Sequence, residues 1–304
     1  MKIIITGGAG FIGSHIGDAY LKSGHKIIVI DNLSTGSKSN IDKKTKFYRA
    51  DITNLSAINR IFKKERPEAV SHHAAIAAVS ESLKNPDKIF RVNTEGTKNI
   101  IRSFSQYRKG NGKFIFASSA AIYGNSKKMP LEETDPPNPI SAYGLSKLLS
   151  EEIVKFFSHT QKIEAIIFRY ANVYGPRQKP IGEAGVIPIF IKLMKSKKRP
   201  KIFGGGSNTR DYVYVEDIVS ANLRALKIKK SEVINIGLGK EITDREIYRK
   251  VADSLNFKSA PRFAPKREGD IARNALSSGK AELLGWRPKI KLEEGIIKTA
   301  KAFN

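Results

Sequence analysis

The chain has 304 residues, of which 40% are hydrophobic and 27% are charged, as is usual for a folded globular protein. It contains no cysteine, which excludes disulfides, thiolate metal ligands and a cysteine nucleophile. The formal net charge of +25 raises the question of a nucleic-acid partner, but the basic residues are scattered and form no tail, zinc module or RNA-binding motif.

The same features bear on location. No stretch approaches about 18 consecutive apolar residues, the length of a membrane span. Residues 1–7 carry one charge and a short apolar run, which predicts a strand rather than a secretion signal. We therefore expect a cytoplasmic protein with no membrane partner. Because the basic residues are scattered, we interpret them as the lysine-rich surface of an enzyme with an acidic substrate and do not predict a nucleic-acid partner.

Short apolar runs rich in Ile, Val and Phe predict strands over 3–6, 26–30, 46–50, 68–72, 113–118 and 164–169. Amphipathic stretches between them predict helices over 11–23, 54–64, 86–107 and 142–159. This alternation is typical of right-handed βαβ crossovers. The predicted fold class is therefore α/β, with a doubly wound parallel sheet.

Beyond residue 174, prolines and glycines become frequent and the alternation loosens. Helices are still predicted over 215–227 and 243–255, and a strand over 233–236. We expect one domain over 1–174 and a smaller C-terminal α/β lobe over 175–304, part of which returns to the main sheet.

A glycine-rich segment follows the first predicted strand. Residues 7–13 read Gly-Gly-Ala-Gly-Phe-Ile-Gly and fit the pattern Gly-x-x-Gly-x-x-Gly. Gly7 and Gly10 allow a tight turn beside a pyrophosphate, and Gly13 allows the next helix to pack closely on the strand. The start of that helix, around Phe11 and Ile12, offers unpaired N–H groups to the diphosphate. The motif predicts a Rossmann-type dinucleotide site in the first domain.

Asp31 ends the second predicted strand, eighteen positions after Gly13. A carboxylate there accepts hydrogen bonds from the adenosine ribose and repels a 2′-phosphate. The next residue is Asn32 rather than an arginine, so NAD is predicted over NADP. Asp51 and Ile52, after the third strand, are expected to border the adenine, although Asp51 also suits the start of the following helix.

Tyr143 and Lys147 lie four positions apart and therefore on one face of a predicted helix. A tyrosine titrates near pH 10, and a lysine ammonium and a cationic nicotinamide nearby would favour the phenolate. Ser118 and Ser119 end the fifth predicted strand, at the sheet edge where ligands bind. A hydroxyl there can hydrogen-bond the reacting oxygen of a substrate. Ser119, Tyr143 and Lys147 are the predicted catalytic residues.

Together these motifs resemble the extended short-chain dehydrogenases/reductases, within the NAD-dependent epimerase/dehydratase family, and in particular its UDP-glucose 4-epimerase branch. The resemblance extends over most of the chain. It also rests on segments 118–124, 169–177, 209–215 and 267–270, the last reading Arg-Glu-Gly-Asp.

This resemblance implies 4-epimerisation of a UDP-hexose through a transient 4-keto sugar. Tyr143 would take the proton of the sugar 4-hydroxyl, Lys147 would hold the nicotinamide ribose, and Ser119 would hydrogen-bond the 4-oxygen. Arg210 and Arg267 would clamp the diphosphate, whose oxygens suit a guanidinium fork. The implied substrate contacts are Ser118, Ser119, Tyr143, Asn172, Arg210, Arg267 and Asp270.

For the cofactor, the resemblance implies contacts beyond the glycine motif from Asp31, Asn32, Asp51, Ile52, His73, Ala74, Ala75, Asn93, Tyr143, Lys147 and Tyr170. A helix-distorting role suits Asn93 equally well. Ile76 and Ala77 depart from the family, where many relatives carry glutamine and some epimerases carry a lysine that contacts the cofactor. Weaker NAD retention is therefore expected.

Two further points concern metal binding and substrate specificity. Adjacent His72 and His73 on a strand point to opposite faces, so no metal site is predicted. Asn274 stands where some epimerases close the hexose pocket with a tyrosine, so a substrate with an N-acetyl group at C2 is a hypothesis.

Several alternatives stay open. The enzyme could act on N-acetylated or uronic-acid UDP-sugars, or be a dehydratase, decarboxylase or reductase of the same family. A 4,6-dehydratase is disfavoured because Ser119 and Ala120 stand where such relatives carry an Asp-Glu pair. A more remote alternative is a non-catalytic NAD- or polyanion-binding protein, which would have no physical need for the three reacting groups.

The resemblance also implies a homodimer. The predicted helices over 86–107 and 142–159 would pair with their symmetry mates in a four-helix bundle.

Overall fold

A computed structural model describes residues 1–77, 84–180, 185–266 and 271–303. Its β-strands are β1 (Lys2–Thr6), β2 (Lys26–Asp31), β3 (Lys46–Arg49), β4 (Ala69–His72), β5 (Lys113–Ser119), β6 (Glu164–Tyr170), β7 (Asn172–Tyr174), β8 (Lys201–Phe203), β9 (Thr209–Arg210), β10 (Tyr212–Tyr214), β11 (Glu232–Ile236), β12 (Ile242–Thr243) and β13 (Arg262–Ala264). Its α-helices are α1 (Phe11–Lys22), α2 (Leu55–Glu65), α3 (Pro86–Ile89), α4 (Gly96–Tyr107), α5 (Ala142–Gln161), α6 (Val186–Lys195), α7 (Val215–Ala225), α8 (Asp244–Ser254), α9 (Gly279–Leu283) and α10 (Leu292–Ala302).

Seven parallel strands form the central sheet, in the order β11-β6-β5-β4-β1-β2-β3. The strand order reverses between β1 and β4, the place where open α/β sheets bind ligands at their carboxyl ends. The predicted doubly wound α/β fold is confirmed. The division at residue 174 stays a prediction; β11, from beyond that point, pairs with β6 at one edge of the sheet.

The sheet is buried on both faces. Ile3 and Ile5 of β1 point to the side covered by α1, where they pack with the fully buried Tyr20. Ile4 points to the other side, into a cluster under α2, α4 and α5 that includes Phe62 and Phe104. Strands enclosed in this way read as continuous apolar runs, which is why they are visible in the sequence.

The predicted helix over 86–107 is wrong as a single α-helix. It consists of α3, a π-helical turn over Phe90–Glu95, and α4. The widened turn directs the buried Asn93 inwards, and the Asn93 carbonyl accepts hydrogen bonds from Thr97 Oγ1 and Ser150 Oγ. Apolar periodicity does not distinguish such a turn from an α-helix, because the flanking residues keep the same buried face.

The C-terminal part adds three small sheets, β7 with β10, β9 with β12, and β8 with β13. Asp211, fully buried between β9 and β10, accepts backbone hydrogen bonds from Leu238, Gly239 and Leu276. Burial raises the pKa of this carboxyl to about 6. The three bonds fix the loops beside Arg210.

None of the helices in the described ranges has the length and hydrophobicity needed to cross a bilayer.

Candidate active site

The glycine motif forms a tight turn between β1 and α1. Gly7 has a φ of 71°, and a Cβ there would lie 2.7 Å from the Ala74 backbone nitrogen. A Cβ at Gly13 would lie 2.4 Å from the Gly7 carbonyl oxygen. Gly10 is the N-cap of α1 and makes no side-chain cap, so the first turn of the helix keeps its N–H groups available. The turn fits a pyrophosphate.

Asp31 lies at the carboxyl end of β2, beside this turn. One carboxylate oxygen accepts the Ala9 N–H at 3.0 Å and the other accepts the Leu33 N–H at 2.8 Å. The carboxylate therefore holds the glycine turn and retains lone pairs for a ribose. Asn32 donates to Asp51 at 2.9 Å.

A cavity of about 1580 Å³ runs along the carboxyl edge of the sheet and into the C-terminal lobe. The sequence-predicted residues on its wall are Gly7, Gly10, Phe11, Ile12, Asp31, Asn32, Asp51, Ile52, His73, Ala74, Ala75, Ser118, Ser119, Tyr143, Lys147, Tyr170, Asn172 and Arg210. Arg267 and Asp270 lie outside the described residues. The structure thus brings the dinucleotide motif and the three predicted catalytic residues into one cavity.

The predicted catalytic residues come from the end of β5 and the first turns of α5. The helix begins after Ser141, whose hydroxyl accepts the Gly144 N–H. The Ser119 hydroxyl accepts the Ala121 N–H at 3.2 Å and lies near enough to the Tyr143 phenol to influence the pKa of that phenol. Lys147 is buried, and its Nζ donates to the Ala117 carbonyl at 2.7 Å and lies 5.0 Å from the centre of the Phe116 ring.

Burial governs the electrostatics of these groups. It raises the pKa of Tyr143, and the nearby Ser119 hydroxyl opposes the rise only in part. It lowers the pKa of Lys147 to about 8, against the opposing charge of Glu151. The sequence analysis expects Lys147 and a cationic nicotinamide to lower the pKa of the Tyr143 phenol. The protein's own groups alone do not lower it. The ammonium is bonded to the Ala117 carbonyl, and desolvation of the phenol is the larger effect.

His73 lies between the sheet edge and the cavity. Its ring stacks on Tyr170 with centroids 6.4 Å apart, and its Nε2 hydrogen-bonds Ser71 at 2.8 Å. Its Nδ1 is buried with no hydrogen-bond partner among the described residues. Burial lowers the His73 pKa to about 3, so the ring stays neutral and has one nitrogen left for a ligand.

His72 points elsewhere and bonds Thr6 at 2.5 Å and Thr97 at 2.9 Å. No three His, Asp or Glu side chains within the described ranges form a cluster that would hold a metal ion.

Asn93 and Ser118 are placed differently from the other predicted contacts. Asn93 accepts the Ile76 N–H and donates to the Ile76 carbonyl and to Ser146, so it ties the segment after β4 to α5. Ser118 donates its hydroxyl to the buried Glu151 at 2.5 Å. Both side chains thus shape the site through protein groups, and their ligand contacts stay predictions.

Sequence reasoning missed Glu151 and Arg169, a buried ion pair behind the catalytic groups with a 2.8 Å contact. The sequence does contain a signal for the carboxylate of this pair. Glu151 follows Lys147 by four positions and therefore shares the helix face of the catalytic pair.

Comparison with known proteins gives the family. Residues 3–237 match the model of the NAD dependent epimerase/dehydratase family. A putative UDP-glucose 4-epimerase of Methanocaldococcus jannaschii is 45% identical over 295 residues, which cover 97% of this chain and 95% of that protein. The chain belongs to the NAD-dependent epimerase/dehydratase family.

Solved structures of this family agree with the fold over its whole length. UDP-glucose 4-epimerase of Thermotoga maritima with UDP-glucose superposes with a TM-score of 0.97 and 42% identity, covering 100% of this chain and 98% of that one. The UDP-glucose 4-epimerase of Thermus thermophilus in complex with NAD has a TM-score of 0.94 and 39% identity, covering 100% and 99%.

Gly13→Ala tests the cofactor turn of this epimerase/dehydratase family member. The added methyl collides with the Gly7 carbonyl, so we expect NAD⁺ affinity to fall at least about ten-fold. Gly17→Ala is a matched control on the same helix, because its methyl meets Ile5 at an ordinary 3.5 Å. Isothermal titration with NAD⁺, after any bound cofactor is removed, measures both. Equal affinities of the two variants would contradict the assignment.

Proposed function

We propose that this chain is an NAD-dependent 4-epimerase of a UDP-hexose of the galactose/glucose type. The observation that carries the proposal is the convergence of Ser119, Tyr143 and Lys147 on the cavity that the glycine turn opens into. The similarity to UDP-glucose 4-epimerases over the full chain supports the same reaction.

NAD fits the residues at the sheet edge. The glycine turn leaves no room for a side chain, the start of α1 has free N–H groups, and Asp31 retains lone pairs for the adenosine ribose. The unpaired Nδ1 of His73, a residue on the wall of the same cavity, is assigned to the bound cofactor. When bound, NAD⁺ supplies the hydride acceptor for C4 of the sugar and afterwards the hydride donor.

The protein's own groups handle the proton. Tyr143, as the phenolate, takes the proton of the sugar 4-hydroxyl and later returns it. Ser119 lies near the phenol and holds the 4-oxygen in both directions. Lys147 would hold the nicotinamide ribose from the wall of the same cavity. Because burial raises the pKa of Tyr143, the phenolate needs the positive charge of the bound cofactor nearby.

The C-terminal lobe would hold the rest of the substrate. Asn172 and Arg210 line the cavity opposite Ser119 and are assigned to the sugar and the diphosphate. Arg267 and Asp270, which lie outside the described residues, are assigned to the diphosphate and the uridine ribose from the family resemblance. The proposed domain division at residue 174 separates the part of the chain assigned to the cofactor from the part assigned to the substrate.

A cytoplasmic location stays a prediction from the cysteine-free sequence.

Tyr143→Phe tests the reaction. Loss of the proton acceptor should lower kcat for conversion of UDP-galactose to UDP-glucose at least about 100-fold. NAD⁺ affinity should stay within about two-fold, because the ring and Lys147 remain. Tyr107→Phe, on α4 away from the cavity, is the matched control. NMR of the sugar nucleotides follows the conversion, and full activity of Tyr143→Phe would overturn the mechanism.

An N-acetylated substrate is the second candidate, and Asn274 favours it. The side chain is 3% exposed and lines the cavity beside Ala120, to whose carbonyl its amide donates at 3.4 Å. Its Oδ1 is buried without a hydrogen-bond partner among the described residues. The N–H of an acetamido group at C2 would satisfy that oxygen.

Asn274→Tyr separates the two substrates. The larger side chain should fill the space for the acetamido group, so turnover of UDP-N-acetylgalactosamine should fall while that of UDP-galactose persists. The measurement is the ratio of kcat/KM for the two sugar nucleotides. Wild-type protein that does not turn over UDP-N-acetylgalactosamine would end this hypothesis.

The dehydratase alternative lacks its acid–base pair among the described residues of the cavity. The carboxylates on the described wall belong to Asp31, Asp51 and Asp244, and none of them adjoins Ser119 in the chain. Elimination of water from the sugar needs a positioned acid and base beside the reacting carbons. Epimerisation at C4 needs only a group that takes and returns the proton of the 4-hydroxyl, and Tyr143 lines the cavity for that step.

A homodimer through α4 and α5 belongs to the same proposal. On α5, three exposed apolar side chains recur at helical spacing: Leu145 at 38%, Leu149 at 41% and Phe156 at 62% exposure. A stripe of this kind on a surface helix suits a second copy of the helix better than water.

Phe156→Glu should convert the dimer to a monomer, because it buries a charge at the centre of the interface. Leu283→Glu, at a side chain that is 90% exposed on α9, is the control and should leave the mass unchanged. Light scattering coupled to size-exclusion chromatography gives the masses. A monomeric wild-type protein would refute the assembly.

A further inference from the structure

A buried charged network lies behind the catalytic groups. Glu151 is fully buried on α5, one turn beyond Lys147 and two turns beyond Tyr143. Its carboxylate accepts the Ser118 hydroxyl at 2.5 Å, and the Arg169 guanidinium at 2.8 Å from Nη2 and 3.1 Å from Nε. One side chain thus bonds the strand ends of β5 and β6 to the catalytic helix.

Arg169 is itself fully engaged. It is 4% exposed, and its Nη1 donates to the Tyr123 hydroxyl at 2.7 Å and the Glu133 carbonyl at 3.2 Å. Tyr123 in turn donates to Asn235 of β11 at 2.9 Å. The pair is therefore held from β5, β6 and β11, and Glu151 has little freedom to turn away.

Stability does not explain this pair. Removing two charges from water costs more than their attraction usually returns, and apolar residues of similar volume would pack here at no such cost. The position of the pair offers another explanation. Ser118 precedes Ser119, Arg169 precedes Tyr170, and the carboxylate lies on the helix face that carries Lys147.

We propose that Glu151, held by Arg169, is a positioning residue that fixes the Ser119 strand end through Ser118 and keeps Lys147 charged. This inference rests on the proposed function. Glu151 does not touch the substrate in this assignment; it acts through the two groups that do.

The charged and titratable groups around Lys147 support this role. On its own helix these are Tyr143 and Glu151. The others are His72, the last residue of β4, and His73, which follows it. Burial lowers the pKa of both histidines, that of His73 to about 3, so burial disfavours a positive charge on either ring.

The Glu151 carboxylate is therefore the charge that counteracts the effect of burial on the pKa of Lys147. Arg169 of β6 bonds the same carboxylate and neutralises part of its charge. Lys155 is 4.0 Å from Glu151 at the solvent side. The pKa of Lys147 near 8 places its loss of charge within the working range of an enzyme.

Glu151→Gln removes the charge and keeps the shape. We expect the Lys147 pKa to fall by roughly one unit. The alkaline limb of the pH profile of kcat should move by the same amount, with KM nearly unchanged. Glu151→Asp, which restores the charge, should return the limb towards its wild-type position. Glu152→Gln, at the adjacent exposed carboxylate, is the matched control.

Ser118→Ala separates the two parts of the role. It keeps the ion pair and removes the bond to the strand end, so kcat should fall about ten-fold or more without a shift of the alkaline limb. Should Glu151→Gln fail to fold, as judged by circular dichroism, this variant decides the question. A wild-type kcat for Ser118→Ala would then overturn the proposal.

The titration of Lys147 is measured without turnover by NMR, from the ¹³Cε chemical shift in protein labelled at its lysines. The Lys147 signal is identified by its absence from the spectrum of Lys147→Arg. A lower pKa in Glu151→Gln supports the coupling even in a protein that does not epimerise UDP-galactose. Failure of the proposed function is thereby distinguishable from failure of this inference. An unchanged Lys147 titration, or an effect on KM with unchanged kcat, would overturn it.

Discussion

Parallel pairing of the central strands brings the reacting groups to one edge of the sheet. Thr6 pairs with His72, and Ser119 with Tyr170, so these strands end side by side. Successive side chains of a strand point to opposite faces, which sends the Ser118 hydroxyl to Glu151 behind the sheet edge and leaves Ser119 for the phenol. A slip of one residue would exchange the two hydroxyls. The chemistry of the site thus depends on the register of β5.

Burial is the second constraint, and it acts against the charges that the reaction needs. It raises the pKa of Tyr143 and lowers that of Lys147, so both effects favour the neutral pair. The carboxylate of Glu151 opposes the second effect from inside the protein. A solvated site would need no such group, but it would also expose the transient ketone to water.

Sequence patterns predict the parts of the site that have a local cause. The glycine turn packs directly against other backbone segments. A Cβ at Gly7 or Gly13 would collide with backbone atoms. The strands are visible because both faces of the sheet are buried. The π-helical turn around Asn93 is not predictable in this way, since it depends on a contact with Ile76, 17 positions earlier. The partnership of Ser118 with Glu151 likewise arises only when β5 and α5 pack together.

Retention of the hydrogen at C4 tests the central claim most directly. UDP-galactose is incubated with the protein in D₂O, with no added NAD⁺ and then with NAD⁺, and the sugar nucleotides are followed by NMR. The account predicts UDP-glucose that still carries protium at C4, because the hydrogen leaves carbon as hydride and returns within the same cavity. Deuterium at C4 of the product, or no conversion in either sample, would contradict it.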